Sequence, residues 1–156
     1  MTPAINLAKQ RGLDYHVHEY THDSSAASYG LEAAEKLDVD VRQVFKTLVV
    51  MTETDMLAVA ILPVDKSLNF KKVAKVLGCK KVQMADPKQV ERSTGYVLGG
   101  VSPLGQKKRL VTIIDDSAEM QPTIYVSGGR RGLEIELPPA QLAITLRACF
   151  AAITDG

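Results

Sequence analysis

The stretch VFKTLVVM at residues 44–51, followed after TETD by MLAVAIL at residues 56–62, decides the fold. Both runs are rich in β-branched and aliphatic residues, and the polar tetrapeptide between them has the length of a hairpin loop. Because side chains alternate across a strand, Phe45 and Thr47 are predicted on one face and Lys46 on the other. The centre of the molecule is therefore predicted to be a hairpin that carries one lysine on an apolar face.

Outward from this hairpin, helix and strand signals follow one another without strict alternation. Helices are predicted from Thr2-Pro3 to Gly12, along the stripe Leu31, Ala34 and Leu37, from Phe70 to Gly78, from Asp86-Pro87 to Gly95, and after Pro138-Pro139 with the face Leu142, Leu146, Cys149 and Phe150. Strands are predicted around Tyr15–Val17, Lys80–Met84, Arg109–Ile114, Thr123–Ser127 and Leu133–Leu137, and a loop at Thr21–Ser28. Several strands are adjacent in sequence, which favours an α+β fold with a largely antiparallel sheet. The length of 156 residues predicts one domain, residues 1–156.

The charge of the chain is nearly balanced overall but unevenly distributed. Residues 1–65 carry five Lys/Arg and ten Asp/Glu, whereas residues 66–156 carry fourteen Lys/Arg and eight Asp/Glu. Six lysines and no acidic residue lie between Lys66 and Ala85. Such a segment indicates either an anionic partner or a solvated lysine face, and charge alone does not separate the two.

The sequence shows no sign of export or membrane insertion. Its two cysteines, Cys79 and Cys149, form neither a Cys-x-x-Cys pair nor a disulfide framework. The N-terminus lacks the basic stretch and long apolar run of a signal peptide, and no apolar run reaches the length of a membrane span. We therefore expect a cytoplasmic protein that does not bind membranes.

Conventional metal-binding and catalytic patterns are weak. His16, His18 and His22 lie within seven residues, with Asp23 next to the last of them. No second cluster of ligands completes a zinc site, so we expect no metal. A Ser-His-Asp triad lacks its Gly-x-Ser-x-Gly turn, and both cysteines are expected to pack in the protein rather than to react. The chain therefore offers no evident nucleophile of its own.

Lys46 and two glycine pairs are the stronger candidates for a site. A lysine on an apolar strand face must extend to solvent, pair with an acid, or line a pocket. Gly99-Gly100 and Gly128-Gly129 would let a ligand approach backbone N–H groups, which bind phosphates and oxyanions. A hairpin turn or bulge explains an isolated glycine pair as well, so the residues alone leave both interpretations open.

Read together, these motifs resemble those of the YbaK family of aminoacyl-tRNA deacylases, which is related to the editing domain of bacterial prolyl-tRNA synthetases. The matching segments cover nearly the whole chain and are MTPAI (1–5), EAAEKL (32–37), FKTL (45–48), NFKKVAK (69–75), KVQMAD (81–86), STGYVLGGVSPLGQKK (93–108) and IYVSGGRRGL (124–133). The combination of FKT, GGVSPLG and SGG is specific, although no single one of them is. The resemblance implies an editing-domain fold, with a curved, largely antiparallel sheet or barrel and flanking helices.

The resemblance also implies an activity. Members hydrolyse the ester between cysteine and the 3′ end of proline tRNA, an error that arises because cysteine is close to proline in size. They act in trans, with the aminoacyl-tRNA acceptor end and prolyl-tRNA synthetase as partners, and without cofactor or metal. The thiol of the substrate attacks its own ester carbonyl and forms a cyclic thiolactone. The protein then needs only to position the ester and stabilise the oxyanion.

Roles for individual residues follow from the resemblance. The implied catalytic residues are Lys46, Gly99 and Ser127. The implied substrate-binding residues are Tyr20, Tyr29, Thr47, Gly100, Gly128 and Glu134. The implied tRNA contacts are Lys71, Lys72, Lys75, Arg130 and Arg131, with Lys107-Lys108-Arg109 as further candidates for contact with tRNA or the synthetase. Lys46 would direct its charge to a phosphate or to the developing oxyanion, and Glu134 stands where many relatives have Asp.

Two other functions are compatible with the sequence, and an interaction protein that only docks on the synthetase is a third. The pocket would suit alanine or serine on tRNA, as in sister families, although alanine has no thiol and requires an activated water. A basic helix beside a glycine-lined pocket would also suit a non-catalytic module that binds a nucleotide or the end of a tRNA. Release of amino acid from aminoacyl-tRNA separates the enzymes from the binding module.

Overall fold

The structure is a computed structural model that describes residues 1–25 and 28–156. These residues form eight strands in two sheets. The strands are β1 (His16–Glu19), β2 (Phe45–Thr52), β3 (Leu57–Pro63), β4 (Val82–Met84), β5 (Val111–Asp115), β6 (Ile124–Ser127), β7 (Leu133–Leu137) and β8 (Cys149–Ala151). The smaller sheet has the order β1-β7-β6 and the larger one the order β4-β2-β3-β5-β8.

Five helices flank the two sheets in the described part of the chain. They are α1 (Pro3–Gln10), α2 (Tyr29–Lys36), α3 (Phe70–Leu77), α4 (Pro87–Thr94) and α5 (Pro139–Leu146). The side-chain oxygens of Thr2 and Asn69 accept hydrogen bonds from the first turns of α1 and α3, which satisfies N–H groups that lack a helical partner. Gly78 and Gly95 end α3 and α4 in the left-handed conformation, at the predicted positions.

The central hairpin has the predicted pairing and the predicted faces. β2 and β3 are antiparallel, with Phe45 opposite Pro63. Phe45 packs into an apolar cluster between the two sheets, whereas Val50 packs into a second cluster with Val73 of α3. Burial of such an aliphatic side chain contributes roughly 1.5–3 kcal/mol, so the hairpin is stabilised from both sides. Lys46 lies at the start of β2, opposite Leu62.

The predicted fold class is confirmed. Four strand pairs are antiparallel, and the pairs β3–β5 and β5–β8 are parallel. A bridge between Val44 and Tyr125 links the two sheets beside the start of β2. The molecule therefore has an α+β architecture with largely antiparallel strands, and the start of β2 lies where the two sheets meet.

Two predicted helix faces are wrong. α5 ends at Leu146, because Arg147 adopts the left-handed conformation with φ 53°. Cys149 and Phe150 therefore do not extend the helix but form β8, where backbone pairing with β5 satisfies their polar groups. Leu31 is 45% exposed, because α2 turns its alanines and Glu32 inwards instead.

The remaining segments agree with the predicted loop pattern where they are described. Residues 21–25 and Ser28 form no helix or strand, and residues 26 and 27 of the predicted loop lie outside the described residues. Of the helices in the described ranges, each is too short and too polar to cross a lipid bilayer.

Candidate active site

A cavity of about 290 Å³ opens where the start of β2 meets α2 and two loops. We call it the reaction cavity. It brings together residues from six separate segments of the chain, which only the folded structure can place side by side. The predicted site residues that line it are Tyr20, Tyr29, Lys46, Thr47, Gly99, Ser127, Arg130, Arg131 and Glu134.

Lys46 is one of three cationic residues that line the reaction cavity, together with Arg130 and Arg131. Burial lowers the pKa of its ammonium group, and the nearby carboxylate of Asp65 offsets part of that effect. Within the described residues no ion pair involves Lys46. A desolvated ammonium without a partner attracts an anion more strongly than a solvated one does. Lys46 is therefore suited to stabilise a phosphate or an oxyanion.

Glu134 brings a carboxyl group to the lining of the same cavity. It lies on β7 between Ser127 of β6 and His18 of β1, and it is only 7% exposed. Burial raises the pKa of Glu134 to about 8, so the group is mainly protonated at neutral pH. Burial, with a contribution from Glu134, also raises the pKa of Tyr20 to about 12. Both groups are therefore mainly neutral near pH 7, and each carries a proton that a hydrogen bond can use.

Glu134→Gln is expected to change how stability depends on pH. The folded-state pKa of Glu134 lies above its ordinary value of 4.5, so the native state keeps a proton that the unfolded state loses. Wild type should therefore lose stability as pH rises from about 4.5 to about 8, by on the order of 1 kcal/mol for each pH unit, whereas Glu134→Gln should not. Thermal unfolding between pH 5 and pH 8 measures the difference.

The control for this prediction is Glu119→Gln, because Glu119 is exposed. That variant should follow the pH profile of wild type. Parallel pH profiles for wild type and Glu134→Gln would mean that Glu134 is ionised in the folded protein.

Two residues that line the cavity, Thr47 and Ser127, carry hydroxyl groups. The hydroxyl of Thr47 is buried and has no hydrogen-bond partner within the described residues. A buried hydroxyl left unpaired costs about 1–3 kcal/mol, which a ligand or water can recover. Ser127 Oγ accepts a hydrogen bond from the N–H of Gly129 at 3.1 Å, and its own hydrogen remains free to donate.

The glycines of the two predicted pairs do not contribute equally. Gly99 has φ 86°, and it lies at the rim beside Tyr29 and Arg131. Gly100 and Gly128 do not line the cavity. Their N–H groups donate to Val97 O at 3.0 Å and to Leu133 O at 2.8 Å. These two amides therefore stabilise the loops, and Gly99 is the member of its pair that faces the ligand space.

A network at the mouth of the cavity was missed by the sequence analysis. The guanidinium of Arg131 lies 3.4 Å from the centroid of the Tyr29 ring and donates to the Tyr29 hydroxyl. Arg131 Nη1 also lies 3.2 Å from His22 Nε2, while His22 Nδ1 lies 2.7 Å from a carboxylate oxygen of Glu32. Since arginine only donates, Nε2 of His22 accepts and Nδ1–H donates to Glu32. His22 and Glu32 therefore position Arg131 across the mouth.

The signal for this network was present in the sequence but was assigned differently. In the sequence His22 resembles a metal ligand, and Glu32 lies beside the predicted apolar stripe of α2. A buried glutamate needs a partner, and a histidine ten residues away on the preceding loop provides one. No cluster of three metal-binding side chains forms within the described residues.

The predicted lysine contacts on α3 lie outside the reaction cavity. Lys71 and Lys75 are exposed, and Lys72 Nζ donates to Thr154 O at 2.7 Å. Arg130 lines the cavity, and its Nη2 lies 3.7 Å from Oε2 of Glu19. Of the predicted tRNA contacts, the two arginines are therefore at the cavity and the three lysines are not.

Comparison with known proteins shows the family to which the chain belongs. Residues 24–144 match the family described as "Aminoacyl-tRNA editing domain". The chain is 36% identical over 153 residues to "Putative Cys-tRNA(Pro)/Cys-tRNA(Cys) deacylase EbsC" of Enterococcus faecalis, which covers 98% of this chain and 93% of that protein. It is also 33% identical over 98 residues to the proline–tRNA ligase of Thermosipho africanus. That alignment covers 63% of this chain and 17% of the ligase.

Solved structures have the same fold. "Hypothetical protein APE2540" superposes with a TM-score of 0.88 at 26% identity, covering 99% of this chain and 100% of that one. A structure described as "a putative trans-editing enzyme for prolyl tRNA synthetase" superposes with a TM-score of 0.86 at 24% identity, covering 99% and 96%. The predicted resemblance is confirmed, and the chain belongs to the aminoacyl-tRNA editing domain family.

Proposed function

We propose that this aminoacyl-tRNA deacylase acts on Cys-tRNA(Pro) and releases the tRNA by attack of the substrate thiol on its own ester. The observation that carries the proposal is the reaction cavity itself, in which an unpaired lysine faces a small space bounded by hydroxyl groups and a neutral carboxyl group. Such a site can bind an ester and stabilise negative charge. The related protein of Enterococcus faecalis is named for the deacylation of Cys-tRNA(Pro) and Cys-tRNA(Cys), which also supports this substrate.

The size of the cavity supports a small aminoacyl group. At about 290 Å³ it is close to the lower limit of ligand pockets. Cysteine and the adjoining ribose would fill this space, whereas the adenine would extend towards the mouth near Tyr29. Phe45 and Val64 supply an apolar wall, which suits a thiol better than a charged side chain.

The chemistry of the lining favours a nucleophile that arrives with the substrate. Neither a histidine nor a cysteine is among the residues that line the cavity in the described chain. In the proposed step the substrate sulfur attacks the carbonyl carbon and the carbon–oxygen bond to the ribose breaks. The thiol proton passes to the departing 3′ oxygen, and the cyclic thiolactone is then opened by water. Each bond formed is balanced by one broken, and no external oxidant or base is needed.

The protein residues then act by position and charge. Lys46 stabilises the oxyanion of the tetrahedral intermediate or holds the phosphate of the terminal adenosine. Ser127 and Thr47 donate hydrogen bonds to the ribose or the aminoacyl group. Glu134, neutral near pH 7, donates a hydrogen bond without opposing the negative charge that develops on the carbonyl oxygen.

A panel of proline tRNAs charged with different amino acids tests the proposal. We expect rapid release of cysteine and at least about tenfold slower release of alanine, serine and α-aminobutyrate, because none of the three carries the thiol that attacks the ester and a difference of one small group already changes discrimination by about that factor. α-Aminobutyrate is the matched control because it resembles cysteine in size but lacks the thiol. Equal release of cysteine and α-aminobutyrate would exclude attack by the substrate thiol, and no release of any amino acid would favour the binding module.

We further propose that the protein works beside prolyl-tRNA synthetase in the cytoplasm, where charged tRNA is found. The support is the sequence match between this chain and part of proline–tRNA ligases. Co-purification of the chain with the synthetase in the presence of proline tRNA, and its loss when tRNA is digested, measures this association.

A further inference from the structure

A second hollow, of about 280 Å³, lies between α1, the loop of residues 103–110 and the end of α5. Four of its described lining residues are cationic and none is acidic; they are Arg11, Lys107, Lys108 and Arg109. None of the four takes part in an ion pair within residues 1–25 and 28–156. We call this hollow the basic pocket. Its uncompensated positive charge is suited to an anionic ligand.

Contacts with α4 hold the lysines of the basic pocket in place. The N–H groups of Lys107 and Lys108 donate to Thr94 O at 3.1 Å and Ser93 O at 3.0 Å. The methylene chain of Lys107 lies across Gly95, 3.2–3.5 Å from the position that a Cβ atom would occupy. Because the backbone is fixed in this way, less order has to be imposed when a ligand binds.

The positive surface continues beyond the basic pocket. Lys107 also borders another hollow on α4, together with Lys88, Arg92 and Glu91. Six cationic side chains and one carboxylate therefore line two adjoining hollows that share Lys107. An extended row of cations fits a chain of phosphates better than it fits one small anion.

The basic pocket and the reaction cavity share structural elements. The loop that brings Gly99 to the cavity continues into residues 103–110, which line the basic pocket. The Thr2 hydroxyl donates to Gly128 O behind the cavity, while Arg11 after the other end of α1 lines the basic pocket. The two sites are therefore built on connected segments of the chain, and a polymer is the kind of ligand that can occupy both at once.

We propose that the basic pocket binds the phosphodiester backbone of the tRNA acceptor stem while the aminoacylated end occupies the reaction cavity. This inference rests on the proposed function and adds to it the surface that binds the body of the substrate. RNA backbones are bound by Lys and Arg through their phosphates, whereas lysine is depleted in protein–protein interfaces. The charge of the basic pocket therefore favours RNA over the synthetase.

In this arrangement the lysines that contact the tRNA lie in the basic pocket and not on α3. Lys72 on that helix already donates to Thr154 O, and neither Lys71 nor Lys75 lines a described hollow. The two lysines thus offer a matched control, since they carry the same charge on an exposed surface elsewhere.

Binding of uncharged proline tRNA tests the inference without any need for turnover. The double variant Lys108→Glu/Arg109→Glu should weaken binding at least about tenfold at low salt, and it should reduce the slope of log K against log salt by about 2. Lys71→Glu/Lys75→Glu should leave both quantities close to those of wild type. Thermal unfolding should show that both double variants fold.

A substrate without phosphates separates binding of the stem from chemistry. On the cysteinyl ester of adenosine, the basic-pocket variant should keep the kcat/KM of wild type, whereas on Cys-tRNA(Pro) it should lose at least about tenfold. Equal tRNA binding by the two double variants, or equal losses on both substrates, would overturn the inference. Normal tRNA binding with lost co-purification with the synthetase would assign the pocket to a protein partner instead. Failure of wild type to cleave either ester would count against the proposed function, and the binding result would still decide the role of the pocket.

Discussion

Lys46→Ala is expected to lower kcat/KM for Cys-tRNA(Pro) by at least about a hundredfold, the loss seen when one group that stabilises an oxyanion is removed. The ammonium is the one cation on β2 that lines the reaction cavity in the described structure, and it has no carboxylate partner there. Because its loss breaks no internal ion pair, the melting temperature should stay nearly unchanged. Single-turnover deacylation and thermal unfolding measure the two quantities.

Two further variants make this result specific. Lys46→Met keeps an apolar stem along the strand and should be as inactive as Lys46→Ala, which separates charge from packing. Lys66→Ala, at an exposed position after β3, should keep full activity. Full activity of Lys46→Ala would remove Lys46 from the site.

Gly99→Ala is expected to reduce kcat/KM by about tenfold to a hundredfold, since a small misplacement in an active site costs up to that much. Gly99 has φ 86°, and a Cβ atom there would lie 2.7 Å from the Tyr29 ring and 2.8 Å from Arg131 Nε. The added methyl group must displace the Arg131–Tyr29 stack that borders the mouth. Deacylation kinetics should show a raised KM and a lowered kcat together.

Gly78→Ala is the matched control for backbone strain. Gly78 also has a positive φ, 72°, but a Cβ atom there would meet nothing within 4 Å. Both variants should lose a similar part of their stability, roughly 1 kcal/mol, because alanine disfavours this conformation. Only Gly99→Ala should lose activity. An equal loss of activity in both variants would mean that strain, rather than contact with Arg131, is responsible.

Much of the fold could be predicted because its signals are local. The hairpin follows from two β-rich runs, and the ends of α3 and α4 follow from Gly78 and Gly95. The end of α5 could not be predicted in this way. Arg147 is a non-glycine residue in the left-handed conformation, and the pairing of β8 with β5 over long sequence separation favours it there.

The site could be predicted only in part, and the reason is again the range of the interactions. Lys46 was identifiable because a lysine on an apolar strand face is locally unusual. The elevated pKa of Glu134 depends on burial between β1 and β6, which are distant in sequence. The contact from His22 to Arg131 likewise joins residues far apart in the chain. The family motifs therefore indicate which residues belong to the site, whereas the contacts between those residues depend on the folded structure.

The hydrogen bond from Thr2 to Gly128 has a practical consequence for anyone who labels this protein. An affinity tag or fluorophore fused ahead of Met1 would lie next to Thr2 and would disturb its hydrogen bond to Gly128 O in the turn after Ser127. A loss of activity caused by the tag would then be mistaken for a catalytic defect. Gly156 is exposed, and a Cβ atom there would meet nothing within 4 Å. Reporters are therefore better attached at the C-terminal end.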